Sequence, residues 1–445
     1  MDLASLLQTL AEDAIKICKE WREEGKLHKE IRCYRKFKVE KFEYREGNIG
    51  ISGSFPMIQK EEWNISDVFK LIEHVKGLDS FKRCTKHVAE EYASEHPNPE
   101  AQAEHWVSIF LQKIILDYLN EKFDNLLSYI VTFIQDLEGN PIEWNIKVWL
   151  EGIWLEIERM EIEKGIFIRK PQPEDFEYEY PLDAPFFEQH ISPPSAILEI
   201  KKRVKIQPYI YPELEKIIIA LQLYKMGSIT RTKIFWRPKS FLQVGGISTS
   251  MHWLSKTYTY SLGERDEEKL PKFMEMIKNR LPIDETGRPL SSNPLGIALL
   301  RYQDALLKPE AIENKIAYAV MGLEALYLKA EEREGLSHKL SQRVAKILSL
   351  LDEKPIKVYN LIKEAYDIRS GFVHGSIIRK EEPKNVKKIL DNVLEYLRKS
   401  ILIFILLPRE KEELLSLIDN AILEKQAEEK LSELIKKNAA FLLPL

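Results

Sequence analysis

The chain has 445 residues, of which 44% are apolar and 31% charged, with a formal net charge of −4. That length exceeds what one compact core usually organises, so two or three domains are expected, and the balance excludes wholesale disorder. A slightly acidic total still allows a local basic face for an anionic partner, so the distribution of charge matters more than its sum.

The opening stretch, "MDLASLLQTLAEDAIKIC", is interrupted by Asp2, Glu12 and Asp13 and reads as an amphipathic helix, not a signal peptide. Residues 31–55 read as two strands around a turn containing Gly47 and Asn48. A helical pattern covers 103–135. Alternation then returns at Ile153, Leu155 and Ile157, and at Leu198 and Ile200. The proline-, acid- and aromatic-rich segment 170–194 reads as a long surface loop within one large domain. A helix over 212–226 and a strand in "KTYTYSL", 256–262, complete an α+β region, residues 1–290, whose strands are expected to be antiparallel.

"LPIDETGRPLSSNPL" gathers prolines and turn formers near residue 290, and from there the period is helical. Ile312, Ile316, Val320, Leu323, Tyr327 and Ala330 share one face, with Pro309 in the first turn. Further helices carry Leu336 to Leu351, Val358 to Phe372 and Ile389 to Phe404, and a last one spans about 409–437. Residues 291–445 therefore read as an all-α bundle with a carboxy-terminal helix.

Chemistry-bearing motifs are few. Cys18, Cys33 and Cys84 form no CxxC pair and no zinc or disulfide framework, which suits a reducing cytoplasm. The longest apolar run, Ile401 to Leu407, falls far short of the ~18 residues that cross a bilayer. The histidines show no metal-ligand spacing, and "QVGGIS" lacks a phosphate-loop context, so neither a metal nor a cofactor is expected.

The exception is "RSGFVHG", residues 369–375. Arg369 and His374 lie about 140° apart on a helix, Arg369 at the apolar seam beside Ile362, Tyr366 and Val373, and His374 above Asp367, Ser370 and Gly371. Ser370 can hydrogen-bond one imidazole nitrogen, and Gly371 leaves room for a ligand. Gly375 suits the left-handed residue that ends the helix, which places His374 in a last turn whose free carbonyls favour its protonated form. By spacing alone the ordinary reading is stronger: an Arg lying along the bundle and a His closing a helix. Glu324, at the border of an apolar face beside Ala317, Met321 and Leu328, needs a partner if buried; bracing Arg369 and a salt bridge elsewhere are equally good readings. Between 369 and 399 basic residues outnumber acids, and Arg379 and Lys380 are placed to meet phosphates.

The succession "NPLGIALLRYQDALLKPEAIENKIAYAVMGLEALYL", "LSHKLSQRVAKIL" and "AYDIRSGFVHG" resembles the Apea-like branch of the HEPN superfamily across roughly residues 292–405. The resemblance rests on Gly322, Leu323, Glu324, Ala325 and Leu326 followed by the Arg369–His374 helix end. It implies a helical domain that acts as a metal-independent endoribonuclease of toxin or antiviral type, with Arg369 and His374 forming a composite site when two copies pair as a homodimer. In that chemistry a histidine takes the proton of an RNA 2'-hydroxyl, Arg369 stabilises the phosphoryl oxygens, and the products carry 2',3'-cyclic phosphate and 5'-hydroxyl ends. Many active members have Asn, Asp or His directly after the Arg, where this chain has Ser370. A non-catalytic module binding RNA, nucleotide or protein is the alternative, and a dimerisation scaffold a third. Residues 1–290 match no motif and their role is left open, a sensor or substrate-recognition role and a regulatory partner being the readings considered.

Overall fold

The computed structural model describes the whole chain except residues 1, 37, 46–47, 55, 95, 124, 140, 177–178, 182–192, 205–209, 241, 244, 250–256, 374–382 and 443–445. It shows an amino-terminal α/β region with antiparallel sheets and a carboxy-terminal all-helical region.

The amino-terminal layer is built from α1 (Leu3–Glu23), α2 (Ile65–Lys76), α3 (Asp79–Tyr92), α4 (Pro99–Leu119) and α5 (Leu126–Leu137), around their own apolar core. The opening helix forms as expected, its amino terminus capped by Asp2, whose carboxylate accepts from Ser5 N–H at 2.8 Å. The single helix read over 103–135 is two. The chain turns between Leu119 and Leu126 through Glu121, whose φ of +57° no helix can continue, and Asn125 caps the next helix by accepting from Leu127 N–H.

Residues 31–55 hold more than a hairpin. β2 (Lys38–Arg45) and β3 (Asn48–Ser54) pair antiparallel as expected, but the preceding residues form β1 (Lys29–Lys36), which pairs with β4 (Met57–Trp63) and not with β2.

A six-stranded antiparallel sheet forms the centre. Its strands are β5 (Ile142–Glu151), β7 (Arg159–Glu163), β8 (Ile166–Arg169), β10 (Ala196–Val204), β11 (Thr230–Pro238) and β12 (Gly246–Thr249), in the order β12-β11-β5-β10-β8-β7. Strict alternation sorts its two faces. Trp144, Ile146, Val148, Leu198, Ile200 and Ile234 join the main core, whereas Trp149, Ile197 and Phe235 point the other way, where Val39, Phe42 and Ile51 of the β2–β3 hairpin cover them. One pairing departs from the antiparallel rule: β6 (Ile153–Leu155) runs parallel to β13 (Tyr260–Leu262).

The first part of segment 170–194 is not a surface loop. Its turn at Pro173–Asp175 buries the Asp175 carboxylate, which accepts two hydrogen bonds from Arg169 at 2.6 and 2.7 Å and one from Gln172 N–H. Phe176 then packs between Phe42 and Trp149, and β9 (Glu179–Pro181) adds to β1; residues 182–192 lie outside the described set. A paired acid and an aromatic ring pull this part of the segment inward.

After α6 (Tyr211–Tyr224) and α7 (Lys269–Ile277), the bundle comprises α8 (Pro294–Leu307), α9 (Ile312–Tyr327), α10 (Leu336–Ser349), α11 (Pro355–Val373), α12 (Pro383–Leu406), α13 (Lys411–Leu423) and α14 (Lys425–Ala439). Pro309 precedes α9 instead of opening it; the helix starts after Ala311, and Glu310 reaches forward to accept from Asn314 and Tyr318. The last helix read over 409–437 breaks at Glu424, whose backbone is extended. Leu414, Ile418 and Ala421 form one stripe and Ala427, Leu431 and Ile435 another. An unbroken helix would set these stripes about 105° apart at about 100° per residue. One extended residue lets both face the bundle.

The apolar core runs without interruption from the sheet into the bundle, across residue 290. Polar ties cross the same boundary: Tyr302 donates to Gln222 O, Ser228 Oγ to Leu306 O, and Arg398 to Leu223 O and Tyr224 O.

Candidate functional site

α9 and α11 pack against each other and bring Glu324 and Arg369 together across 45 residues of sequence. An Arg369 Nη atom donates to Glu324 Oε2 at 3.1 Å, so of the two readings of Glu324 the structure takes the one in which it braces Arg369. The pair is largely enclosed, with side-chain exposures of 24% for Arg369 and 17% for Glu324. Burial raises the Glu324 carboxyl above its ordinary value, and the charge and hydrogen bond of Arg369 draw it only part of the way back.

Two further features define the setting of Arg369. Its Nε is buried and has no hydrogen-bond partner among the described residues. Its guanidinium lies 5.7 Å from the centre of the Tyr366 ring, one turn earlier on α11, which orients the planar fork. Tyr366 belongs to this cluster chemically: burial first, then the Glu324 charge, push its phenol upward. Sequence reading placed Tyr366 at the seam but gave it no role in the site; the i−3 spacing from Arg369 was the available signal.

Why α9 comes this close is visible at Gly322. A Cβ there would meet Leu397 of α12 at 2.8 Å, so the missing side chain lets α9 and α12 approach closely two residues before Glu324. Ser370 and Gly371 lie half-buried on the last described turns of α11, which extends to Val373. His374, Gly375, Arg379 and Lys380 lie outside the described residues, and the helix stop expected at Gly375 lies there with them.

Of the basic residues after 369 whose side chains are described, three are paired internally. Lys387 meets Asp391 at 3.2 Å, Arg398 meets Glu395 at 2.6 Å, and Lys399 meets Glu353 at 2.8 Å, while Lys388 is exposed. Asp391 also accepts from Tyr258 Oη at 2.6 Å, which links α12 to the strand region.

A second polar centre escaped sequence reading. Arg343, nearly fully buried on α10, forms paired hydrogen bonds to Glu332 at 2.9 Å and to Asp419 at 2.7 and 2.8 Å, and donates to Tyr327 O. Every donor is satisfied by the protein itself, so this is a structural joint. His338, also passed over, is exposed and shares a 2.7 Å hydrogen bond with Tyr359 Oη, ten residues before Arg369 on α11 and therefore about 15 Å away along the helix axis.

Among the described residues no group of His, Cys, Asp or Glu is placed to hold a metal ion, and no helix is long and apolar enough to cross a membrane. Comparison with protein-family models, curated proteins and solved structures finds no match to this chain.

Proposed function

We propose that the chain is a metal-independent endoribonuclease of toxin or antiviral defence type, acting in the cytoplasm as a homodimer whose Arg369 and His374 form a shared site. The observation that carries this reading is the state of Arg369. Glu324 anchors one of its nitrogens and Tyr366 orients its plane, while Nε is buried without a hydrogen-bond partner among the described residues, on the helix whose last described turns carry the half-buried Ser370 and Gly371. A guanidinium anchored by one carboxylate and with its side chain still 24% exposed suits a phosphodiester whose charge grows during reaction.

In this mechanism His374, acting as general base, removes the proton from a 2'-hydroxyl, and the alkoxide attacks the adjacent phosphorus. The P–O5' bond breaks, and the leaving oxygen takes a proton from an acid such as the second copy's histidine. Arg369 holds the non-bridging oxygens throughout, and Arg379 and Lys380 hold flanking phosphates. A twofold axis suits two side chains that diverge by about 140° on one helix, since the second copy supplies what the first cannot bring round.

The test is incubation of the purified chain with total RNA in EDTA, followed by end-group mapping. The expected products carry 2',3'-cyclic phosphate and 5'-hydroxyl ends, DNA survives, and Arg369→Ala or His374→Ala lowers cleavage by roughly 100-fold or more. Undiminished cutting by both variants removes the site.

The ion pair itself favours a second reading, in which a carboxylate already neutralises much of Arg369 and the helix end binds RNA, nucleotide or protein without cutting. Salt-sensitive binding with no cyclic-phosphate product selects that reading.

A further inference from the structure

A cavity of about 450 Å3 lies away from Arg369, where the end of α6, α7, the second half of α12 and the residues after α14 meet. We propose that it binds a small organic anion with an aromatic body, at a site separate from the helix end discussed above.

The apolar part is a ladder of three rings. Tyr224 and Phe273 meet edge to face at 5.2 Å, and Phe273 and Phe441 at 5.3 Å. Phe441 is nevertheless 41% exposed, so the outermost ring keeps a free surface at the cavity mouth. Edge and face positions around such a ladder accept another flat ring.

The polar part has one sign. Five cationic side chains line the cavity, and none of its described lining residues is acidic. Three of these cations are already balanced from behind the wall: Lys225 by Asp266 at 2.9 Å, Arg398 by Glu395 at 2.6 Å and Lys399 by Glu353 at 2.8 Å. The other two, Lys269 and Lys272, are exposed, sit one turn apart on the same face of α7, and have no ion pair among the described residues. Glu268 at the N-cap of α7 and Glu275 within it are near in sequence but form no ion pair with either lysine among the described residues.

An apolar hollow of drug-like volume with two ammonium groups at its rim that are engaged in no ion pair among the described residues selects for a ring system bearing a carboxylate, sulfonate or phosphate. A neutral aromatic would leave the lysines unanswered, and a bare inorganic anion would leave the ladder unfilled.

The experiment uses the full chain and 1-anilinonaphthalene-8-sulfonate as a fluorescent probe, with 2-naphthoate and neutral 2-naphthol as competitors. One probe per chain is expected, displaced by 2-naphthoate at much lower concentration than by 2-naphthol. The double variant Lys269→Glu with Lys272→Glu, both at exposed positions, should weaken binding on the order of tenfold, and Phe441→Ala should weaken it as well. Lys388→Glu, remote from the cavity, should change nothing. Circular dichroism establishes that each variant is folded. Equal affinity in the double variant, equal competition by the neutral and charged naphthalenes, or many unsaturable probes per chain would each overturn the proposal.

Discussion

At the scale of single residues, Glu324 illustrates how burial sets a charge against its partner. Its folded-state carboxyl titrates above an ordinary glutamate because burial outweighs the help from Arg369. The folded chain therefore binds this proton more tightly than the unfolded chain does. The contribution of Glu324 favours folding at low pH and diminishes as pH rises through its raised value. Glu324→Gln, whose amide oxygen still accepts from Arg369, should fold at neutral pH, and its stability relative to the parent chain should rise between pH ~4 and pH ~7 in urea titrations. Under the proposed function the same variant should lose less cleavage than Arg369→Ala, since it loosens the brace and keeps the fork.

Arg343 makes the contrary case. Burial opposes ionisation of Glu332, yet the Arg343 guanidinium and the Lys329 N–H hold its carboxyl down to about 2. A depressed carboxyl stabilises the fold above its unfolded value of 4.5, and that contribution disappears as pH falls from there toward about 2. Arg343→Ala leaves two carboxylates facing an empty place and should cost about 3–5 kcal/mol at neutral pH, measured by urea unfolding. The variant should also lose the part of the acid sensitivity that falls in this window.

At the scale of elements, the close approach of α9 and α12 depends on a residue with no side chain. Gly322→Val should force Leu397 or the helix itself to shift and destabilise the chain by about 1–3 kcal/mol, visible as a lower urea midpoint. Most elements were legible because their apolar residues repeat with one clear period: α9, α10 and α11 follow their stripes, and β10 its alternation. Boundaries failed where a local device overruled the pattern. Glu121 in a left-handed conformation split one helix, and extended Glu424 split another. The Glu424 break was readable in principle, since the two stripes around it are out of phase. The burial of Asp175 was not, because it depends on Arg169 arriving from a neighbouring strand. At the site, the Arg369–Glu324 pair was accessible from the position of Glu324 on its helix, whereas the internal pairing of Arg398 and Lys399 depends on which carboxylates the fold carries to them.

At the scale of the whole molecule, a composite site makes activity a property of the assembly. Under the proposed function, dilution below the dimer dissociation constant should lower the cleavage rate per chain, and analytical ultracentrifugation over the same range should show the dimer giving way to monomer. A rate per chain that stays constant while the dimer dissociates would place the whole reaction within one copy.

The apolar core that passes through residue 290 governs how the chain can be divided. A cut there follows the composition of the sequence but opens a raw surface on both pieces. The bundle fragment would lose the carbonyls of Leu223 and Tyr224 that receive Arg398, and the sheet fragment would lose the cover over Gln222 and Ser228. The two pieces are therefore expected to be poorly soluble alone and to recover native spectra when refolded together.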